Sequence, residues 1–409
     1  MHGVRAHARG LASVGPAAND HVHAFRVAAG LAVPGSALVA GGRPDLIVFA
    51  VFGAVTGMYG RTEAPRRRVV HQAQAAAILV AGVGTGVLLS GVHAGLWVLV
   101  VTTVVFATVG SLVTDHLGLT PEGPFFGIFA LGAVAMVPAD RVAAWVGLSI
   151  CAATALLCLL ISVAGSVVEQ IRDPGSASRS MPAARPGATC TLVHAVRYAS
   201  AISIAGVAGL LLGVDHANWA MAAAAVPLAA ADPVGRVHRG LHRIVGTFAG
   251  LAVTAVLLLP HPAETLLGLC VMALLFPTEL FIARNYALAL GFFTPLIMVM
   301  TDLAAPAEPL ALLVFRGIDT VIGVGAGIAV ALVVRGPERG HTPRPGGTTR
   351  ADHEQGGVTP VRASPGSRPV GAPPTEQTVR CTTLGAAPPP GAPSSPLPHC
   401  PTSSPPTAG

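Results

Sequence analysis

The chain contains no lysine, and charge of any kind is scarce: 11% of its 409 residues are charged. A soluble domain carries about twice that share, which excludes a water-exposed globule as the main body. All 25 basic residues are arginine, whose guanidinium keeps its proton at any physiological pH. Without lysine there is no Gly-Lys-Ser/Thr phosphate loop, which argues against an ATP-driven pump built from this chain alone. Aromatics make up only 5%, and the six cysteines show no metal-type spacing. No nucleophile–base pair stands at a segment boundary, so neither an enzyme, a cofactor, a metal nor a nucleic-acid partner is expected.

What is present is apolar: 52% of residues are hydrophobic and mean hydropathy is +0.66. Stretches that suit a hydrocarbon core of about 30 Å run near Phe25–Ala40, Asp45–Gly60, Val69–Ser90, Ala94–Thr114, Phe125–Val137 and Val142–Val168. A second series runs near Tyr198–Gly213, Ala217–Ala231, Ile244–Leu259, Ala263–Ala283, Tyr286–Met300 and Leu310–Val334. They predict an all-α polytopic membrane protein with about 12 transmembrane helices. The first apolar run follows a long polar stretch, so no cleavable signal peptide is expected. Composition divides the chain into an N-terminal segment (1–24), a first six-helix block (25–168), a linker (169–193), a second block (194–335) and a tail (336–409). The tail holds 17 of the 35 prolines, cannot bury a core and is expected to be disordered in the cytoplasm.

Arginine distribution orients the chain by the positive-inside rule. With the N-terminus inside, seventeen arginines as far as Arg339 fall on the cytoplasmic side or its edge and only Arg43 and Arg141 outside. Both termini are then cytoplasmic, and the plasma membrane is the expected location. Trp97, Trp145 and Trp219 fall near outer segment ends and Tyr59, Tyr198 and Tyr286 near inner ends, as interfacial anchoring predicts.

The two blocks resemble each other. Arg61 to His71, containing Arg66, Arg67 and Arg68, is followed by a glycine-studded apolar stretch, and so is Asp232 to Arg243, containing Arg236 and Arg239. The offset is about 170 residues. His23-Ala-Phe-Arg26 likewise matches His194-Ala-Val-Arg197. Six segments per copy is an even number, so the copies enter the membrane in the same direction, as two parallel six-helix repeats. Gly82/Gly86, Gly246/Gly250 and Gly323/Gly327 read as small-xxx-small helix contacts.

Several motifs of the second block carry a family resemblance: Arg197-Tyr198, Asp215-His-Ala-Asn-Trp219, Gly235 to Gly246, Ala283-Arg-Asn-Tyr-Ala-Leu288 and Arg316-Gly-Ile-Asp319. In order and spacing they resemble the fusaric acid resistance and aromatic acid exporter family, whose shared region is called the integral membrane bound transporter domain. The resemblance implies a transporter that exports organic anions, aromatic carboxylic acids or related toxic compounds, driven by the proton gradient or membrane potential. A passive anion channel of related architecture and a non-transporting membrane scaffold are the alternatives. Many such exporters carry a large cytoplasmic domain between their halves; here only the linker stands. The implied partners are the lipid bilayer and a small organic anion, with a homo-oligomer left open.

Ionisable groups within spanning segments are costly and face an interior or a wet cavity. Arg316 and Asp319 are three apart on one helical face and can pair, either as a proton- or anion-responsive site or as a structural ion pair. Glu279, beyond Pro277 and five residues before Arg284, is a proton-relay candidate, with interfacial snorkelling as the plainer account. Phe125, Phe126, Phe292, Phe293 and Pro295 offer aromatic faces and freed backbone in the fifth and eleventh segments. Arg26, Arg197, Arg67 and Arg239 are candidates for a cytoplasmic vestibule, against simple topological anchoring. His71, His238 and His242 read as solvated loop histidines.

Overall fold

The computed structural model describes residues 20–172, 187–213, 217–230 and 232–336. The N-terminal segment before Asp20, most of the linker and the tail lie outside the described residues. Within them the chain forms twelve helices and no strand: α1 (Asp20–Ala40), α2 (Pro44–Met58), α3 (Pro65–Gly91), α4 (Leu96–Leu117), α5 (Phe125–Ala135), α6 (Ala144–Arg172), α7 (Ala188–Leu211), α8 (Ala217–Leu228), α9 (Pro233–Leu258), α10 (Glu264–Phe281), α11 (Tyr286–Ala304) and α12 (Pro309–Val333).

Nine of these helices are long and apolar enough to cross a membrane. The other three, α2, α5 and α8, are apolar but shorter than a full span. At 1.5 Å per residue, a helix of 11 or 12 residues covers roughly 17 Å, about half the hydrocarbon thickness. Every residue of α8 is buried, as is every residue from Ile47 to Met58 of α2. These short helices read as apolar all round because protein surrounds them on every side. The long helices invert the soluble pattern. On α4, Trp97, Val101, Val105 and Val109 form an exposed stripe, while Thr103, Ala107, Gly110 and Thr114 turn inward.

Glycine sets the helix spacing. A methyl group at Gly82 of α3 would stand 2.6 Å from the carbonyl oxygen of Gly127 in α5, and one at Gly250 of α9 would stand 2.6 Å from Cβ of Thr294 in α11. Gly327 of α12 meets the Ala224 carbonyl of α8 in the same way, at 2.5 Å, and Gly323 is pressed on that of Ala220. Backbone atoms cannot rotate aside, so Gly323→Ala is expected to cost about 1–3 kcal/mol through overpacking. Gly325→Ala faces open space and should be neutral or gain up to about 1 kcal/mol of helix propensity. Thermal denaturation of the purified protein in detergent distinguishes the two; equal Tm values would contradict this packing.

Helix starts explain where the arginine clusters sit. Pro65 and Pro233 stand in the first turns of α3 and α9, where a missing N–H costs nothing, and the Asp232 carboxylate accepts from the Gly235 N–H to cap α9. Arg66–Arg68 and Arg236–Arg243 therefore belong to helices rather than to connections. The neighbouring histidines are not solvated as expected. His71 is buried with Nδ1 2.8 Å from Glu63 Oε1, and His242 is buried with Nε2 2.9 Å from Nε2 of His238. Trp97 and Trp145 are exposed as membrane anchors would be, but Trp219, Tyr59 and Tyr198 are buried, so the interfacial reading fails for those three.

Candidate functional site

Where α2, α4, α8 and α10 end and α3, α5, α9 and α11 begin, the bundle encloses a cavity of about 290 Å³. That volume suits a small molecule. Its wall carries Phe125, Phe126, Tyr286 and Phe293 together with Arg61, Arg239, Glu122 and Glu279.

From this wall a column of rings runs inward. Phe293 lies 6.2 Å from Phe126 and 6.3 Å from Phe129, and Phe129 lies 5.3 Å from Trp219. Three guanidinium groups lie over rings of this region: Arg239 at 4.8 Å from the Tyr286 centroid, Arg243 at 5.5 Å from Phe125, and Arg316 at 4.1 Å from Trp219. Arg239 and Arg243 are one turn apart on α9. A cation over a ring face gains about 2 kcal/mol when desolvated, far less than burying a charge costs.

Arg316 and Asp319 are 2% and 0% exposed. They do not form a hydrogen-bonded bridge: Nε and Nη1 of Arg316 and both oxygens of Asp319 have no hydrogen-bond partner. Arg316 lies within electrostatic reach of Arg243 and Asp319.

Glu279 is 1% exposed, which rules out snorkelling. Its Oε2 lies 3.4 Å from His23 Nε2 and 4.0 Å from Arg61 Nη1. Arg61 also donates to the Glu279 carbonyl at 3.0 Å and to Asp20 Oδ1 at 2.7 Å, while Arg284 donates to Asp20 Oδ2 at 3.0 Å. This network ties the start of α1 to the end of α10 and to the α2–α3 turn. On the other side His194 of α7 approaches Asp115 of α4 at 3.0 Å and the Leu228 carbonyl at 3.1 Å, so Nε2 there must donate.

Among the residues singled out from sequence, Phe125, Phe126, Phe293, Glu279 and Arg239 meet at the cavity. Arg284 holds the network at its edge. Phe292 turns away to stack on Phe281 at 6.0 Å. Pro295 is buried where α11 crosses Gly250, and α11 runs through it unbroken, so the expected interruption is absent. Arg26 lies along α6 at Gly165, Arg197 donates to the Val334 carbonyl at 2.9 Å, and Arg67 stands 4.0 Å from Glu63. None of these three lines the cavity. Sequence reasoning missed Arg61, Arg243, Trp219 and Tyr286. Helical spacing offered a signal for one of them, since Arg236, Arg239 and Arg243 share a face of α9 that His238 and His242 do not.

Nine helices long and apolar enough to cross a membrane, packed with three short buried ones and with a basic and aromatic cavity at one end, define a multi-pass membrane protein. Residues 204–330, from α7 to α12, match the family described as "Fusaric acid resistance protein-like". It contains Trp219, Arg239, Arg243, Glu279, Arg316 and Asp319. The chain is also similar to the uncharacterized membrane protein YvaC of Bacillus subtilis (strain 168), 30% identical over 111 residues. That alignment covers 27% of this chain and only 18% of the relative. No solved structure matches.

Proposed function

We infer that this protein exports organic anions, aromatic carboxylates foremost, from the cytoplasm across the plasma membrane. The observation that carries this reading is the series of guanidinium–ring pairs leading in from the cavity: Arg239 on Tyr286, Arg243 on Phe125, Arg316 on Trp219. A flat anion needs a cation for its charge and a ring for its face, and the series offers both at each step. Phe126, Phe293, Glu279 and Asp319 complete the path, with Arg284, Phe292 and Pro295 supporting it. Arg26, Arg197 and Arg67 act as anchors.

The parallel-repeat architecture belongs to the same reading, with both termini cytoplasmic and the cavity at the inner face. Contacts recurring about 170 residues on support it. Phe49 packs at Gly147 as Trp219 lies under Arg316; Gly53 packs at Thr154 as Ala223 packs at Gly323; Arg26 lies at Gly165 as Arg197 bonds Val334. His23 of the first half reaches Glu279 of the second, and His194 of the second reaches Asp115 of the first. The charged positions Arg243, Arg316 and Asp319 then face uncharged counterparts, Leu79, Gly147 and Ile150, in the first half.

Driving force comes from the membrane potential or the proton gradient. The arginine series equally suits a passive anion channel, and efflux against a gradient that stops with a protonophore favours the exporter. The test is accumulation of labelled benzoate, salicylate and cinnamate in cells with and without the gene. Several-fold lower retention with the gene is expected; unchanged retention of every aromatic acid would overturn the reading.

A further inference from the structure

The charges behind the cavity do not balance. Arg243 and Arg316 bring two positive charges and Asp319 one negative, on side chains 1%, 2% and 0% exposed. Net charge in a membrane interior is costly, so such a set calls for one more negative charge. The donors for it are present: Nε, Nη1 and Nη2 of Arg243 and Nε and Nη1 of Arg316 make no hydrogen bond of good geometry. The Tyr286 phenol is a polar neighbour of Arg243. Asp319, with both oxygens unbonded, offsets charge without occupying those N–H edges. Stacking on Phe125 and Trp219 uses the flat faces of the guanidinium groups and leaves their edges to a ligand.

We propose that Arg243, Arg316 and Trp219 form a binding site for one singly charged carboxylate on a flat ring, with Asp319 setting the accepted charge at one. The carboxylate takes paired N–H bonds from the guanidinium edges, and its ring lies among Phe125, Phe129 and Trp219. Phe125 both lines the cavity and lies under Arg243, so it stands between the cavity and the site. A dianion would overshoot neutrality and is rejected. The inference deepens the export reading and rests on it for the identity of the cargo.

The site contains its own reporter. In the purified full-length protein carrying Trp97→Phe and Trp145→Phe, Trp219 is the remaining tryptophan, and its fluorescence reads binding in detergent. Benzoate should quench it saturably, its uncharged isostere benzamide should not, and phthalate dianion should bind about tenfold or more weakly than benzoate. Arg243→Gln and Arg316→Gln should each weaken benzoate about tenfold or more. Asp319→Asn should instead raise phthalate affinity about tenfold or more. A misfolded variant cannot gain affinity, so this last arm holds even where an arginine variant fails to fold. Benzamide binding as well as benzoate, or Asp319→Asn leaving phthalate weak, would overturn the site. The expected binding pattern with unchanged aromatic-acid retention in cells would sink export and spare the site; altered retention with benzoate binding indifferent to Arg243 and Arg316 would do the reverse.

Discussion

Replacing Arg243 with alanine and Arg316 with leucine together is expected to reduce aromatic-acid efflux at least about tenfold while leaving the protein as heat-stable as the parent, or more so. Both guanidinium groups are buried with donors unmet, and neither is held by a hydrogen-bonded ion pair. Exchanging buried charge for apolar volume is often neutral or stabilising by about 1–4 kcal/mol. Leu79, at the corresponding position of α3, is buried, so the same packing accepts an uncharged side chain there. Asp319 would be left without its cations, so the stability comparison is cleanest with Asp319→Asn added. Efflux assays beside thermal unfolding check the pair of outcomes. A variant that loses both efflux and fold would mean that the arginines hold the helices together.

Arg61→Gln is expected to act the other way, on stability first. Its guanidinium is the link between Asp20, at 2.7 Å, and Glu279, at 4.0 Å, and Glu279 is 1% exposed. Removing one partner of a buried charged group costs about 3–5 kcal/mol, because the other charge remains without compensation. Adding Glu279→Gln should therefore recover much of the loss, with a coupling of about 1–3 kcal/mol in a double-mutant cycle. Were Arg61 only a topological signal in a wet turn, the single substitution would leave Tm unchanged. Circular dichroism melts of the parent, the two single variants and the double variant decide between these.

Much of the fold was legible in the sequence because lipid leaves a strong signature. Apolar runs free of charge mark α3, α4 and α6 plainly, and small-residue spacing at Gly82/Gly86 and Gly323/Gly327 identified real close approaches. The lengths of α2, α5 and α8 were not legible as a different kind of helix, since a segment buried in protein is as apolar as one facing lipid. Tryptophan misled for a related reason. Trp219 occurs at a segment end like Trp97 and Trp145, yet it is turned inward under Arg316.

The site was half legible. Phe125, Phe126, Phe293 and Glu279 stood out as aromatic or acidic residues within apolar runs, and they meet at one cavity. Arg61, Arg239 and Arg243 looked alike in sequence as members of basic clusters. Only tertiary packing separates the arginine that bridges carboxylates, the one on the cavity wall and the one buried behind Phe125.

Flux in a defined membrane tests the central claim most directly. Purified protein in liposomes, with an inside-negative potassium diffusion potential and benzoate trapped within, should release benzoate well above protein-free liposomes. The rate should fall to background with Arg243→Ala/Arg316→Leu. Release equal to protein-free liposomes, or release that this double variant leaves untouched, would contradict a transport path through the arginine–aromatic series.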